Sequence, residues 1–409
     1  MAEFFDGPHA TPPPASDGPI YLGIKNMTED GHLDLSDLRH IAESDYSKWT
    51  RRVEPRPGDI VFTYEASLHR YAIIPAAFRG ALGRRVALLR PAADIVDTRF
   101  LLYMFISPQW RRTVLSRINL GSTVDRLPLT DFPQFPVRIP PLATQRKIAA
   151  VLSAFDELIE NNERRIKILD EMANRIYQEW FADFRYPGHE PVPLVDSELG
   201  PAPEGWGVQA MSALVTTQYG YTESASLEPV GPRFLRGMDI NKASYVDWSS
   251  VPYCRIDSAN HQKYRLSAGD VVVIRMADPG KTAIVESDID AVFASYLIRV
   301  SPRDSAVTPY FLFYFMSSKR YYDFVTGAST GTTRKSLSAP VITSIELAVP
   351  PAADQGRFDE QVEPIRTCLN NLVVTNASLR AARDLLLPRL VSGDMDVEAM
   401  NIALPDIAA

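Results

Sequence analysis

The sequence predicts an α+β fold: two similar mixed α/β domains separated by two long antiparallel, coiled-coil-like helices, with approximate two-fold symmetry. Two observations lead to this fold class. Segments of the chain recur at a spacing of about 210 positions, and a long heptad pattern follows each copy. The 409 residues are too many for one hydrophobic core, and a hydrophobic content of 45% is enough for several.

The repeat consists of short segments in a constant order. "TRFLLYMFIS" at 98–107 matches "TPYFLFYFMS" at 308–317, and "PQFPVRIPP" ending at Pro141 matches "TSIELAVPP" ending at Pro351. "RPGDIVFT" matches "SAGDVVVIR", and "YLGIKNM" matches "FLRGMDI". Because the matches are collinear, they indicate an internal duplication of a domain followed by a helix.

Each copy contains the same predicted elements. The β-branched runs "DIVFTY" and "DVVVIR" follow a Gly-Asp turn and predict strands. The aromatic-rich "RFLLYMFIS" and "YFLFYFMS" predict buried helices. "FPVRIPP" and "IELAVPP" predict short strands that end at Pro-Pro, which cannot extend a ladder of hydrogen bonds.

The two helices carry apolar residues at alternating steps of four and three, a heptad stripe that a helix cannot bury against itself. At 1.5 Å per residue the first helix would span ~55 Å. We therefore predict that the helices pair antiparallel, with one Asn in each stripe disfavouring slipped registers. The alternative is that each helix packs only on its own domain. The predicted pairing residues are Ile148, Leu152, Phe155, Ile159, Asn162, Ile166 and Leu169 in the first helix and Phe358, Val362, Ile365, Leu369, Leu372, Asn376 and Leu379 in the second.

The predicted domain boundaries follow the repeat. They are a disordered N-terminal tail at 1–19, domain 1 at 20–144, the first spacer helix at 145–185, a linker at 186–205, domain 2 at 206–354, the second spacer helix at 355–392 and a C-terminal tail at 393–409. Domain 2 opens with "PEGWGVQAMSALVTTQYGYT", whereas domain 1 begins at "YLGIKNM". We therefore expect the opening element of domain 1 to be missing, displaced or diverged.

The charge distribution does not exclude a nucleic acid partner, although the net charge is −7. Residues 20–144 carry 17 Lys plus Arg against 13 Asp plus Glu, and residues 206–354 carry 14 of each. Local patches rather than total charge determine affinity for phosphate. The acidic, Pro-rich start lacks the features of a secretory signal and no apolar run is long enough to cross a bilayer, so we expect a cytoplasmic protein without a membrane partner.

Enzyme motifs are incomplete in this sequence. "GASTG" at 327–331 has the spacing of a nucleophile elbow but no strand before it, and "PGKT" at 279–282 has Arg275 where a phosphate loop needs its first glycine. Cys254, Cys368 and the six histidines have no metal-binding spacing. We therefore predict no catalytic residue and no metal in this chain.

At this point the residues resemble a known family. "PPLATQRKIAAVLSAFDELIENNERRIKILDEMANRIYQEWFADFRYPG", followed by "SELGPAPEGW", resembles the central conserved region of specificity subunits of type I restriction-modification systems. "NASLRAARDLLLPRLVSGDMDV" resembles their distal conserved region. The resemblance implies two target-recognition domains, each reading one half of a bipartite site in double-stranded DNA, with the helix pair as a ruler.

The resemblance also implies partners. Two methyltransferase subunits would dock along the helices, and two motor-nuclease (restriction) subunits would join in the complete complex. The specificity subunit itself would bind no cofactor. S-adenosylmethionine, together with ATP and Mg²⁺ in the full complex, would be used by the partner subunits.

The candidate DNA contacts lie in loops that differ between the two copies. "TYEASLHRYA" at 63–72 and "RMADPGKTA" at 275–283 differ although their flanking strands agree, as expected if each domain reads a different half-site. The glycine turns "GSTVDR" and "GTTRKS" offer hydroxyls and cations to phosphate. The candidates are His69, Arg70, Arg275 and Lys281 in the loops, Ser122, Thr123, Arg126, Thr332, Thr333, Arg334 and Lys335 in the glycine turns, and Lys25, Asn26, Arg236, Asn241 and Lys242 after the first matched strands. Two alternatives remain open: these residues belong to ordinary solvated loops, and the protein is a non-catalytic scaffold that assembles partners without reading DNA.

Overall fold

The structure, a computed structural model, describes residues 1–118, 125–188, 190, 192–304, 306–328 and 336–404. The chain divides into two compact units. Unit 1 comprises Met1–Ile159 and Leu379–Ala409, and unit 2 comprises Glu160–Ser378. No helix in the described ranges is long and apolar enough to cross a membrane.

Unit 1 contains a four-stranded antiparallel sheet, a separate parallel strand pair and helices. Its elements are β1 (Ala2–Asp6), β2 (Ala15–Leu22), α1 (Tyr46–Trp49), β3 (Ile60–Thr63), β4 (Tyr71–Ile73), β5 (Gly80–Leu82), β6 (Val86–Pro91), α2 (Thr98–Ile106), α3 (Pro108–Leu115) and the first part of α4 (Leu142–Tyr177). The sheet has the order β1-β6-β3-β4, and β2 pairs with β5.

Unit 2 repeats this plan and adds to it. Its elements are the rest of α4, β7 (Leu194–Ser197), β8 (Gly200–Pro203), β9 (Gly207–Ala210), α5 (Met211–Leu214), β10 (Val215–Tyr219), β11 (Arg233–Leu235), α6 (Ser258–Tyr264), β12 (Val271–Ile274), β13 (Thr282–Ile284), β14 (Ala291–Phe293), β15 (Leu297–Pro302), α7 (Pro309–Ser317), α8 (Lys319–Ala328), α9 (Ala339–Ile342), β16 (Glu346–Val349) and the first part of α10 (Ala352–Ser392). The sheet order β10-β15-β12-β13 and the parallel pair β11-β14 match those of unit 1. The antiparallel pairs β7-β8 and β9-β16 are additional.

The central strand of each sheet is apolar because both of its faces are covered. All four residues of β3 are buried, and alternate side chains enter different cores: Phe62 packs with α2 and α3, and Val61 packs under β2 and β5. In unit 2, the side chains of Val273 and Val272 of β12 likewise enter two different cores. Alternation of side chains along a strand explains why one apolar run supplies two cores.

The prediction of a disordered tail at 1–19 is wrong. Ala2–Asp6 forms β1, which pairs antiparallel with β6 just as β10 pairs with β15. Phe4 packs on Phe62 and Phe132 on one face, and Phe5 enters the core on the other face. These two aromatic side chains and the hydrogen bonds of the strand ladder order the segment, although its overall composition resembles that of a tail. β1 is the counterpart of β10, so that part of the opening element is present.

The predicted strand in "FPVRIPP" is not formed. Residues 136–139 are not in a strand, whereas the equivalent Glu346–Val349 forms β16. β16 exists because β9 pairs with it, and the described residues of unit 1 contain no counterpart of β9. Val137 and Ile139 still pack against the core, so the apolar pattern is used without a ladder.

The long helices begin at Leu142 and Ala352, three residues before the predicted starts, and α4 ends in a π-helical turn at Gln178–Ala182. In unit 1, Ile148 and Leu152 share a core with Leu387 and Leu390. In unit 2, Ile166 shares a core with Leu369 and Leu372, while Tyr177 contacts Phe358.

Residues later in α4 therefore contact residues earlier in α10, as antiparallel pairing requires. The alternative that each helix packs only on its own domain is wrong. Of the predicted pairing residues, Phe155, Leu169, Ile365 and Leu379 are half-buried and the others are buried. The two predicted polar breaks meet in unit 2, where Asn162 Nδ2 donates a hydrogen bond of 2.8 Å to Asn376 Oδ1 in a buried environment.

The segments predicted as linker and C-terminal tail carry local structure. Residues 186–205 include the hairpin β7-β8. After α10, Val397 is buried against the helix pair of unit 1, and Lys147 Nζ donates to the carbonyls of Glu398 (2.7 Å) and Met400 (3.0 Å). This part of the tail is therefore fixed by contacts with α4.

Candidate nucleic-acid interface

Each domain presents a hairpin loop of the same backbone shape after its central strand. The β3–β4 loop has left-handed residues at Ala66 (φ 71°) and His69 (φ 67°), and the β12–β13 loop has them at Ala277 (φ 71°) and Gly280 (φ 96°). Since strand registers align these positions pairwise, the two loops share one backbone and differ in side chains.

The structure places each hairpin loop beside the end of the glycine turn. In domain 1, Ala66 N donates to Asp125 O (3.1 Å) and Leu127 N donates to Tyr64 O (2.8 Å). In domain 2, Leu337 N donates to Arg275 O (2.9 Å), which is the equivalent contact. In each copy, the hairpin loop is therefore adjacent to the described end of the glycine turn. Six candidates in the turns, Ser122, Thr123, Thr332, Thr333, Arg334 and Lys335, lie outside the described residues.

His69 is the unusual residue of the domain 1 loop. It adopts a left-handed conformation that costs a non-glycine residue conformational energy, and its two ring nitrogens are buried without hydrogen-bond partners. Burial, and secondarily the charge of Arg111, lowers the pKa of His69, while the charge of Glu29 opposes the shift. The neutral ring keeps one donor and one acceptor unused.

The cations next to His69 are only partly engaged. Arg70 Nη1 donates to the carbonyl of Met27 (3.2 Å), and its Nη2 lies 4.0 Å from Glu29 Oε1. Arg126 Nε lies 4.0 Å from Glu65 Oε2, and the Arg126 side chain is 56% exposed. Both guanidinium groups retain N–H donors for another partner.

In domain 2, Arg275 is anchored within the loop. Its Nε donates to Leu337 O (3.2 Å), its Nη2 lies 3.5 Å from Ser336 Oγ, and its guanidinium stacks over Tyr219 at 5.0 Å from the ring centroid. Lys281 is exposed, with its ammonium group 5.4 Å from the Tyr322 ring. Arg275 thus holds the loop to the glycine turn, while Lys281 faces outward.

A cavity of about 510 Å³ in unit 2 brings together three candidates from two distant segments. Asn241, Lys242 and Lys281 line it together with Lys319 and Asn174. Asn241 Oδ1 is buried without a hydrogen-bond partner. We call this set the basic cavity: its three lysines and its amide groups offer donors to phosphate oxygens and polar groups to base edges. Asp170 lines the same cavity, and Lys319 also forms an ion pair with Asp323.

The sequence did not indicate two of these residues. Lys319 starts α8 directly after α7, and Asn174 lies on α4 outside the apolar stripe. Neither belongs to a segment that the repeat highlights. Only the packing of α4 and α8 beside the loop places them at the cavity.

Three predicted contacts bond to groups within the protein, and for one of them burial excludes a DNA contact. Asn26 is 2% exposed, and its Nδ2 donates to Asp34 O (3.0 Å) and Asp37 O (3.2 Å), so its assignment as a DNA contact is corrected to that of a turn-forming residue. Lys25 forms an ion pair with Asp37. Arg236 forms two hydrogen bonds with Asp239, of 3.0 and 2.8 Å.

Buried polar groups lock the long helices to the domains. Arg366 is fully buried and contacts Glu286 (2.6 Å) and Asp170 (3.2 Å). Burial tends to lower the pKa of Arg366, but hydrogen bonds and charge from Glu286 raise it overall. In unit 1, Arg383 contacts Asp156 (2.6 Å), which also accepts a hydrogen bond from Tyr103. Each unit therefore contains a buried arginine on α10 that is paired with carboxylates. We call Arg366 with Glu286 and Asp170, and Arg383 with Asp156, the charged clamps.

Two glutamines repeat at the starts of the helices. Gln145 Nε2 donates to Ile95 O (3.0 Å) and Pro140 O (2.8 Å), and its Oε1 accepts from Asp97 N (2.9 Å). Gln355 makes the equivalent bonds to Pro350 O (2.9 Å) and Thr308 N (2.8 Å). Both satisfy backbone groups at the Pro-Pro junction, which orients each helix on its domain.

Comparison with known proteins agrees with this duplicated plan. A family model described as type I restriction modification DNA specificity domain matches residues 45–170 and 238–364.

Among similar curated proteins, the type I restriction enzyme MjaVIII specificity subunit of Methanocaldococcus jannaschii is 24% identical over 330 residues, covering 79% of this chain and 76% of that protein. The MjaIX specificity subunit of the same organism is 24% identical over 380 residues, covering 88% and 83%. The crystal structure of a type I restriction-modification system S subunit from M. genitalium matches with a TM-score of 0.53 at 15% identity, covering 95% of this chain and 93% of that one.

Proposed function

The chain belongs to the family of type I restriction modification DNA specificity domains, whose model matches it twice and over more than half of its length, and we propose that it is the DNA sequence-specificity subunit of a type I restriction-modification complex. It is a recognition subunit rather than an enzyme. Each of its two domains reads one half of a bipartite target, and the helix pair sets the spacing between the halves.

One observation carries this proposal. The two domains present hairpin loops with left-handed residues at equivalent positions, yet the side chains on them differ: His69 and Arg70 in domain 1 correspond to Gly280 and Lys281 in domain 2. Proteins read base identity with side-chain donors and acceptors. Two domains that read different half-sites therefore need similar loop backbones with different side chains.

We propose that the lysines of the basic cavity and the residues of the domain 1 hairpin loop have different tasks. Lys242, Lys281 and Lys319 at the basic cavity contact phosphates, because a lysine acts as a point charge without directional preference. Arg70 contacts base edges with N–H groups that lack internal partners. His69 contacts them after the loop opens on DNA, because its ring nitrogens are buried without hydrogen-bond partners in this conformation.

The complex contains other restriction-modification subunits. We propose that two methyltransferase subunits dock along the long helices, one on each unit. Exposed apolar side chains support this assignment: Leu158 and Leu385 lie in unit 1, and Ile168 and Met172 lie in unit 2. Ile168 and Met172 are four residues apart on α4 and so lie on one face of the helix, and a contiguous exposed apolar patch is typical of an interaction site.

Two restriction subunits complete the assembly in the same proposal. S-adenosylmethionine, ATP and Mg²⁺ are bound by the partner subunits, which act on DNA in the cytoplasm. No three His, Cys, Asp or Glu side chains among the described residues form a group that could hold a metal.

The test is DNA binding by the chain assembled with its methyltransferase. The triple substitution Lys242→Ala, Lys281→Ala and Lys319→Ala should weaken binding to the cognate site and lower the slope of log K against log salt by about 0.9 for each lost phosphate contact. Lys263→Ala removes an exposed lysine elsewhere in unit 2 and serves as the matched control.

A triple variant that binds its site with unchanged affinity and salt dependence would contradict the phosphate assignment. If the chain assembles methyltransferase but the complex shows no sequence preference, the scaffold alternative is correct. Turnover by the purified chain alone would indicate an enzyme.

The ruler has a separate test. Inserting one heptad into both helices should lengthen the unspecified spacer of the methylated site and leave both half-sites unchanged, because the reading loops are not altered. Methylome sequencing of a host that expresses the system reports both quantities. Altered half-sites with an unaltered spacer would overturn the ruler.

A further inference from the structure

Unit 1 contains a cavity of about 430 Å³ that the reading loops do not explain. It lies between the residues after β1 and the end of α1, lined by Pro8, Trp49, Arg51, Arg52 and Leu82 among others. Its size falls within the range of small-molecule sites in proteins. Its walls combine an aromatic ring with several cations.

The equivalent place in unit 2 is filled. Strand pairing aligns Pro8 with Tyr221 and Leu82 with Phe293, since Asp6 pairs opposite Ala87 as Tyr219 pairs opposite Ile298. In unit 2 the Tyr221 ring packs on Tyr264 at 5.3 Å, and Tyr264 contacts Phe293 at 6.2 Å.

Trp49 in unit 1 occupies the position that Tyr264 occupies in unit 2. Each is the last residue of a short helix that packs near the equivalent strand, β5 or β14, and each has the preceding lysine over its ring: Lys48 at 5.7 Å and Lys263 at 5.1 Å. In unit 1 the small Pro8 and Leu82 take the places of two aromatic residues. The space that a tyrosine ring occupies in unit 2 is therefore open beside Trp49.

The open cavity has groups that a planar ligand would engage. Trp49 is half-buried and lines the cavity, so part of its indole surface is accessible to a ligand. Arg51 is exposed and forms no hydrogen bond or ion pair within the described part of the chain. Arg52 donates to the carbonyl of Gly7 (2.8 Å) and lies 3.4 Å from Asp6 Oδ2. Together with Lys48, these side chains give the rim a net positive charge.

We propose that this cavity binds a nucleotide, with the base beside Trp49 in the place of the Tyr221 ring and the phosphate held by Lys48 and Arg51. Aromatic side chains stack on any base because every base has a π face. Guanidinium and ammonium groups bind phosphate. The same chemistry is offered by a free nucleotide and by an unpaired nucleotide extruded from DNA.

The proposal does not depend on the sequence-reading function. The cavity is defined by the residues after β1, the end of α1 and Leu82, whereas the reading surface is defined by the β3–β4 loop and the glycine turn. A failure of either leaves the other intact.

The test uses the full-length chain and calorimetric titration with AMP, adenosine and two short duplexes, one fully paired and one with a single unpaired adenosine. AMP should bind with a Kd of about 1 mM or tighter, and adenosine should bind at least tenfold more weakly. Binding of AMP identifies a free-nucleotide site. Preference for the unpaired over the fully paired duplex, without AMP binding, identifies an extruded nucleotide.

Two variants separate the site from general effects. Arg51→Ala should weaken binding at least tenfold without affecting folding, because Arg51 has no internal partner. The pair Pro8→Tyr and Leu82→Phe copies the filled state of unit 2 and should abolish binding. Lys263→Ala, at the equivalent position of unit 2, should leave binding unchanged. Undiminished binding by Arg51→Ala, or no binding of AMP and no preference for the unpaired duplex, would overturn the proposal.

Discussion

Unit 1 and unit 2 share a backbone plan but differ in the polar contacts that fasten it. Both have the same strand order, the same left-handed loop positions and a glutamine at the start of the long helix. They differ in the charged clamp: both arginines are buried, but Arg366 contacts Glu286 and Asp170, whereas Arg383 contacts Asp156 and the exposed Asp384. After a duplication, features that satisfy backbone hydrogen bonds are constrained by geometry, whereas side-chain networks and loop tips are free to diverge.

The charged clamps should give the largest difference between the units. Arg366→Ala leaves Glu286 and Asp170 without their buried partner and should lower the free energy of unfolding by about 3–5 kcal/mol. Arg383→Ala should cost about 1–3 kcal/mol, since it leaves one largely buried carboxylate, Asp156, without a cation, whereas Arg366→Ala leaves two. Urea denaturation of both variants measures the two losses. Equal losses would show that the second carboxylate partner of Arg366 has no energetic consequence.

The helix-start glutamines should show where the units are alike. Gln145→Ala and Gln355→Ala each remove hydrogen bonds to buried backbone groups and should each lower the free energy of unfolding by about 1–3 kcal/mol. Thermal unfolding of the two variants gives the comparison. A loss confined to one unit would contradict the equivalence of the two junctions.

A pH dependence should distinguish unit 2 from unit 1. Burial raises the pKa of Asp359 to about 6 from a model-compound value of 3.8, although a hydrogen bond from Thr308 opposes the shift. The equivalent position in α4 is Ala149. Because the folded state holds the proton more tightly, this stabilisation is present below about pH 4 and is lost as the pH rises through about 6.

Asp359→Asn should remove that dependence. After allowance for solvent screening, the variant should be more stable than the wild type by about 1 kcal/mol at pH 7.5, and the difference should shrink towards pH 4. Melting temperatures across this range provide the measurement. A difference that grows on acidification would have the wrong sign for a raised pKa.

The smallest expected effect concerns the loop tips. His69→Gly introduces the residue that unit 2 has at this left-handed position, and relief of strain should offset the added flexibility of the unfolded chain, giving a gain below about 1 kcal/mol. His69→Ala keeps the strain and removes the ring, which separates the two contributions. Both variants should lose discrimination at one half-site in methylome sequencing. Retained discrimination would exclude His69 from base reading.

The sequence predicted the elements that rest on local patterns. Heptad spacing gave the two long helices to within three residues at their starts, and the β-branched runs after Gly-Asp gave β3 and β12. The repeat gave the duplication. Each of these signals is periodic and independent of distant partners.

Elements that need a partner strand were less predictable. Residues 136–139 and Glu346–Val349 have similar patterns, but only the second forms a strand, because only it pairs with β9. The sequence of the short β1 predicts a tail for the converse reason: its order comes from pairing with β6, which lies more than 80 positions away in the chain.

The candidate site shows the same division. The matched segments indicated Asn241, Lys242 and Lys281 separately, and the fold brought them together with Lys319 and Asn174. Asn26 belongs to the same kind of segment but is turned inward to bind carbonyl oxygens. Residue type states what a side chain can donate or accept, and packing decides whether a ligand can reach it.

By itself, the sequence determined the duplicated plan, the antiparallel helices and the absence of complete catalytic motifs, because periodicity and spacing follow from local backbone geometry. Only the tertiary structure decided which charges are buried as clamps, which candidate residues reach a surface, and why one unit leaves open a cavity that the other fills. Those outcomes depend on contacts between residues far apart in the chain, and side-chain identity at either position alone does not specify them.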